Sequence, residues 1–191
     1  MDIPTIIFLN GVSSAGKTSI ARALQTSLDK PYLHVAIDNF EEMLPDRYAE
    51  GGVFAWPAVF SRMLTGMHRS FAALAGAGNN LIIDHVMVHR DGWASSLADC
   101  LTLLAPYRVY FIGVRCPLDE LLRREQQRGD RFIGTAARQF PLVHLHELYD
   151  LEVDTSQASA AVCAEQIRAF MSRQQPGAFA ALRERPIASI P

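Results

Sequence analysis

The chain has no long apolar run, no surplus of positive charge, and only three cysteines in 191 residues. Each shortage excludes something. No stretch approaches the ~20 apolar residues of a membrane-spanning helix, so no membrane partner is expected. Lys and Arg number 18 against 20 Asp and Glu, a formal charge of −2. That balance lacks the basic field of a broad nucleic-acid binder, so none is expected. Cys100, Cys116 and Cys163 are far apart, odd in number and in no metal-ligand spacing, which argues against a disulfide framework or a zinc site. Buried, reduced thiols in a cytoplasmic protein are the expectation. The start Met1-Asp2-Ile3-Pro4 has no basic segment ahead of its apolar residues, so a signal peptide is not expected. Internal repeats and low-complexity segments are absent, and so is the N-K-x-D sequence of a guanine-specific switch.

What the chain does have is a hydrophobic fraction of 49%, enough for a sizeable core, at a length suited to one domain. Apolar runs alternate with helical patterns. Thr5–Leu9, Tyr32–Ile37, Leu81–Asp84, Tyr107–Val114 and Leu151–Val153 read as strands. Helical stretches are expected over Ser19–Gln25, over Pro57–Ala77, over Asp91–Leu104 with Asp91 as N-cap, over Pro117–Arg128 and over Thr135–Leu148. A last helix, capped by Thr155 or Ser156, runs to about Arg173. This alternation predicts a parallel, three-layer α/β/α sandwich. We expect a single domain over 1–175, with a lid around 124–140 and a C-terminal tail over 176–191. In such a fold, ligands gather at the carboxyl ends of the strands.

The sharpest signal is Gly11-Val12-Ser13-Ser14-Ala15-Gly16-Lys17-Thr18, which fits the phosphate-binding P-loop G-x-x-x-x-G-K-[ST]. Its spacing suits a polyphosphate. Glycines let the backbone curl so that N–H groups of Gly11, Ser13, Ser14, Ala15 and Gly16 can turn toward anionic oxygens. Lys17 reaches terminal phosphates, and the Thr18 hydroxyl can bind Mg²⁺. An apolar run before the motif and a helical one after it supply the strand–loop–helix context that the motif needs.

Three further groups stand at predicted strand ends or in the lid. Asp38 follows the second strand, where it could take a proton from a substrate hydroxyl or cap the next helix. Asp84 closes Leu81-Ile82-Ile83, a hydrophobic run ending in a carboxylate that suits Mg²⁺, an acceptor contact, or a turn. His85 beside it reads either as facing the acceptor or as a satisfied structural histidine. Arg124, Arg128 and Arg131 flank the hinge Gly129. Phosphoryl transfer depends on positioning and charge neutralisation, which guanidinium groups supply. The alternative for them is a solvated, salt-bridged helix end near Glu125 and Asp130.

Together these residues resemble chloramphenicol phosphotransferase and its relatives among the P-loop small-molecule kinases. The resemblance runs from Ile6 to about Ile167. It rests on Leu9–Thr18, Asp38-Asn39-Phe40, Ile82-Ile83-Asp84, Gly113–Cys116, Arg128–Arg131 and Tyr149–Thr155. It implies transfer of the γ-phosphate of ATP to a hydroxyl of a small molecule, with a sheet order of 2-3-1-4-5. It further implies Asp38 as base, Lys17 and Thr18 serving ATP and Mg²⁺, and Arg128 with Arg131 clamping phosphates. Two stretches differ from the chloramphenicol enzyme, Glu41–Trp56 and His85–Arg90. Both should line the acceptor pocket, so the acceptor's identity does not carry over. Phe40, Met43, Leu44, Phe54 and Trp56 could form an apolar wall for it. A nucleotide acceptor would instead call on Arg47, Arg62 and Arg69. A nucleotide-dependent switch without transfer is the third reading.

Overall fold

Five parallel strands form one sheet, ordered second, third, first, fourth and fifth along the chain. A computed structural model describes residues 3–48, 56–88, 95–129 and 133–185. The strands are β1 (Thr5–Asn10), β2 (Tyr32–Ala36), β3 (Asn80–His85), β4 (Arg108–Arg115) and β5 (Leu151–Asp154). β1 is central because both its faces are apolar. Ile6 and Phe8 enter one core cluster, Ile7 and Leu9 the other. A strand flanked by helices on both sides requires that continuous apolar run.

Helices α1 (Lys17–Ser27), α5 (Leu118–Arg128) and α7 (Ala160–Arg173) pack against the Ile7 and Leu9 face. Helices α3 (Trp56–Gly76), α4 (Ser95–Leu103) and α8 (Ala178–Glu184) cover the Phe8 face. Short helices α2 (Ile37–Glu41) and α6 (Thr135–Gln139) follow β2 and precede β5. All three cysteines are buried and free. Among the described residues, no helix is long and apolar enough to cross a membrane.

Several expected boundaries move. Ile37 opens α2 rather than closing β2. The Asp91 cap lies outside the described residues. The helix expected over Thr135–Leu148 stops at Gln139. Pro141 cannot donate a helical hydrogen bond, and Glu147 takes a positive φ of 53°. Ser159, not Thr155 or Ser156, caps α7 by accepting from the Val162 amide at 3.3 Å. Ser156 instead turns back on Asp154, donating from N and Oγ at 2.8 and 2.7 Å.

Residues 178–184, in the stretch expected to be a tail, form α8, which sends Ala178, Phe179 and Leu182 into the core. Phe179 packs its ring 5.7 Å from Phe8 and 5.0 Å from Phe111, and Leu182 is buried beside it. Each such side chain contributes about 1.5–3 kcal/mol. The sequence reading missed this helix because only two of its apolar side chains, Phe179 and Leu182, are large.

Candidate active site

The loop between β1 and α1 curls because two of its residues leave the usual backbone regions. Gly16 sits at φ +88° and Ser14 at φ +65°. A non-glycine residue there stores strain and is a pointer to function. Gly11 is required for a different reason. A Cβ there would lie 2.6 Å from the Val114 carbonyl oxygen, so any side chain would push the loop off β4. The turn closes through Ala15 N–H donating to the Val12 carbonyl at 3.1 Å. Gly11, Ser13, Ser14, Ala15 and Lys17 are buried, while Gly16 and Thr18 are half-buried.

Lys17 folds inward. Its Nζ donates to the Val12 carbonyl at 3.1 Å and stands 3.6 Å from Asp84 Oδ1. Thr18 Oγ1 donates to Asp84 Oδ2 at 2.7 Å. His34 Nε2 lies 3.8 Å from that same oxygen. Burial raises the pKa of Asp84, but Lys17, His34 and Thr18 outweigh it and hold the carboxyl at about 2. Asp84 is therefore a buried anion at neutral pH, wedged between the P-loop lysine and hydroxyl.

The residues fit a polyphosphate with a hard cation. Ser14 Oγ is buried and has no hydrogen-bond partner among the described residues, an arrangement costly unless a ligand completes it. Thr18 Oγ1 and Asp84 are oxygen donors of the kind Mg²⁺ takes. Helix α1 begins at Lys17 with no side-chain cap, leaving its first amides to an anion.

Asp38 lies in the first turn of α2 and is half-buried. Ala36, two residues before it, pairs in register with Asp84. The sheet thus brings Asp38 to the same carboxyl edge as Asp84. The capping role that competed for Asp38 is taken by Asn39, whose Oδ1 accepts from Ala36 N–H at 3.0 Å.

Arg124 reaches over the loop. It donates to Thr155 Oγ1 at 3.0 Å and to the Thr155 carbonyl at 2.8 Å, while Glu120 orients it at 2.7 Å. Thr155 Oγ1 in turn donates to the Ala15 carbonyl at 2.9 Å. Arg128 is exposed one turn further along α5. Arg131 and Asp130 lie outside the described residues. Glu125 is no surface ion-pair partner: it is buried, and accepts from the Gly134 and Ala136 amides at 2.7 and 2.8 Å, anchoring α6.

His85 does not face an acceptor. It is buried, stacks on Phe8 at 5.9 Å and meets His68 nitrogen to nitrogen at 2.9 Å. Phe40 packs partly into the core, whereas Met43 is exposed. Phe54 and the Trp56 side chain lie outside the described residues. Arg62 and Arg69 are exposed on α3, and Arg47 lies over the Tyr48 ring at 5.3 Å.

Composition and spacing did not reveal the wall behind the loop. Asn10, fully buried, accepts from the Met87 amide at 2.8 Å. Its Nδ2 donates to the Val143 carbonyl at 3.2 Å and to Tyr149 Oη at 2.7 Å. Tyr149 then lies 2.6 Å from His144 Nδ1. Because Asn10 fills the acceptor side of the hydroxyl, Tyr149 donates to His144. Burial, Arg115 and Lys17 lower the His144 pKa to about 4. Gln139 Oε1 accepts from the Ser13 amide at 2.8 Å. Asn10 and Tyr149 carried a sequence signal, as parts of the Leu9–Thr18 and Tyr149–Thr155 runs; Gln139, Val143 and His144 carried none beyond the expected helix and lid.

Comparison with known proteins agrees with this geometry. The family model of chloramphenicol phosphotransferase-like proteins matches residues 4–172. A Mycobacterium tuberculosis H37Rv protein named "Putative O-phosphotransferase" is 31% identical over 202 residues, covering 94% of this chain and 88% of its own. The APS kinase CysC of Mycobacterium tuberculosis, solved with AMPPNP and APS, superposes with a TM-score of 0.67 at 16% identity, covering 90% of this chain and 99% of its own. The tunicamycin resistance protein of Deinococcus radiodurans gives 0.64 at 18% identity, covering 90% and 98%. These two structures share the P-loop kinase fold with this chain. With a family match over nearly its whole length and a relative above 30% identity, the chain belongs to the chloramphenicol phosphotransferase-like family.

Proposed function

We propose that the protein is an ATP-dependent O-phosphotransferase that passes the γ-phosphate to a hydroxyl of a small, partly apolar molecule. The observation that carries this reading is the juxtaposition of Asp84 and Asp38 at one sheet edge, beside the P-loop lysine and threonine. One carboxylate is tied to the phosphate-binding side. The other stands in the first turn beyond the adjacent strand, where Asn39 accepts the Ala36 amide.

In this reading the loop amides, Lys17 and the start of α1 hold the triphosphate. Mg²⁺, held through Thr18 and Asp84, would neutralise charge on the phosphate oxygens. Asp38 accepts the proton of the acceptor hydroxyl as its oxygen forms a bond to the γ-phosphorus. The bond from that phosphorus to the bridging oxygen breaks, and ADP leaves. Arg128 and Arg131 neutralise charge on the transferred group, and Arg124 holds the nucleotide side of the loop. An antibiotic-like alcohol is the favoured acceptor class. Support comes from the family and from a tunicamycin resistance protein sharing the fold. Among the described residues, the three arginines that a nucleotide acceptor would call on, Arg47, Arg62 and Arg69, are exposed.

The test is ADP release from ATP and Mg²⁺ across a panel of hydroxyl compounds, chloramphenicol first, with mass spectrometry of the products. A product heavier by one phosphoryl group is expected for at least one alcohol. ATP binding without any phosphorylated product across the panel would favour a switch and end this proposal.

A further inference from the structure

The Ser13 amide is one of the loop donors that a phosphate oxygen would use, and here a side chain already holds it. Gln139 Oε1 accepts from it at 2.8 Å, across 126 residues of sequence. A carboxamide oxygen offers the same acceptor geometry as a phosphate oxygen, without the charge. The reach of Gln139 is set by an anchored helix. Glu125, buried in α5, accepts from two amides at the start of α6, those of its N-cap Gly134 and of Ala136. Phe140 N–H closes the far end on the Ala136 carbonyl at 2.9 Å. A five-residue helix has little stability of its own, so tertiary contacts hold it: Glu125 at the start, Ala136 buried in the core between, and the Ser13 contact at the finish.

We propose that Gln139 is a latch on the nucleotide site. Its side-chain oxygen keeps the Ser13 amide satisfied while the loop is empty, and a phosphate oxygen takes that amide on binding. The exchange is downhill, because a hydrogen bond to an anionic oxygen is roughly twice as strong as a neutral one. It also frees the C-terminal end of α6 from the loop, so that loop occupancy is communicated to the helix that follows the arginine-bearing segment. This inference rests on the reading of the loop as a nucleotide site.

The experiment is calorimetric titration of ATP into the full-length protein and two variants. Gln139→Leu removes the competing oxygen and is expected to bind ATP about 2- to 10-fold tighter, the worth of one neutral hydrogen bond. Gln139→Glu keeps the acceptor but sets a negative charge against the phosphates, and is expected to bind about tenfold weaker or worse. A residue that merely shapes the loop would weaken binding in both. Hydrogen exchange on the wild type supplies a measurement that needs no variant: saturating ATP should slow the P-loop amides and speed those of Arg138 and Phe140. If wild type binds ATP but Gln139→Leu binds equally or more weakly, or if the α6 amides do not speed up, the latch is overturned and the nucleotide site stands. If wild type binds no nucleotide, both fall.

Discussion

Thr18 Oγ1 and Asp84 Oδ2 lie 2.7 Å apart, joining the first turn of α1 to the end of β3 beneath the phosphate loop. With Lys17 at 3.6 Å from the other oxygen, the carboxylate has a hydroxyl on one side and an ammonium on the other. Its pKa is depressed to about 2. A depressed carboxyl contributes stability that is complete above the unfolded value, near 4, and lost as pH falls through about 2. Asp84→Asn should destabilise the protein by about 3–5 kcal/mol near neutral pH, because the buried Lys17 ammonium loses the negative charge of Asp84. That gap should narrow by about 2 kcal/mol between pH 5 and pH 2. Urea titrations of both proteins with EDTA present measure it. A gap that stays constant through the acid range would show that the ion pair is not what holds Asp84 ionised.

Asp38 makes a different prediction, because its proposed work is chemical. Asp38→Asn keeps the size and polarity of the residue and leaves the α2 cap on Asn39 intact. ATP affinity should stay within about twofold of wild type, while turnover with the best acceptor falls ~10²–10⁴-fold, the usual cost of losing a general base. Steady-state kinetics beside ATP titration separate the two. Normal turnover in Asp38→Asn would remove the base assignment.

The sheet was legible in the sequence because its signals are local. Five apolar runs of strand length gave five strands, and the strand–loop–helix around Lys17 gave the P-loop. The place of Asp84 near the end of β3 was legible for the same reason, as the polar end of an apolar run. The surrounding wall was not. Gln139 meets Ser13 across 126 residues, and Tyr149 meets Asn10 across 139. No periodicity encodes such pairings. Glu125 looked like a surface residue among arginines, yet it sits at the Leu121 and Leu122 face of α5, where the amides of α6 repay its burial. The helix expected to run to Leu148 failed at Pro141, a local signal that its apolar pattern outweighed.

His68 and His85 predict an acid limb of stability with the opposite chemistry to Asp84. The Val86 amide donates to His85 Nδ1 at 2.7 Å, so the His85 proton is on Nε2 and is donated to His68 Nε2. The His68 proton is then on Nδ1, toward Asp99 at 3.9 Å. Both rings are neutral. Burial, His68 and Lys17 lower the His85 pKa to about 3, and burial lowers that of His68. A histidine kept neutral in the fold but free to protonate when unfolded makes stability fall as pH drops below about 6.5. The loss from His85 should be on the order of 3 kcal/mol between pH 7 and pH 4. The double substitution His68→Leu with His85→Leu should flatten that limb in chemical denaturation, whatever its stability at neutral pH. An unchanged slope would place the acid sensitivity elsewhere.

Asp150 holds the C-terminal helix to the sheet with one carboxylate. Oδ1 accepts from the Gly177 and Ala178 amides at 2.6 and 2.9 Å, and Oδ2 from the Phe111 amide at 2.8 Å. Phe111 is in β4, and Ala178 begins α8, so the contact decides whether Phe179 and Leu182 stay in the core. Asp150→Asn can satisfy only one of the two sides, since its amide nitrogen cannot accept. The unpaired donors should cost about 1–3 kcal/mol, paid first by local opening of α8 rather than by global unfolding. Trypsin cleavage after exposed Arg173, between α7 and α8, should then accelerate by about tenfold or more, following the population of the opened form. Equal cleavage rates for wild type and Asp150→Asn would mean that ring packing of Phe179 against Phe8 and Phe111, and not the carboxylate, keeps the helix in place.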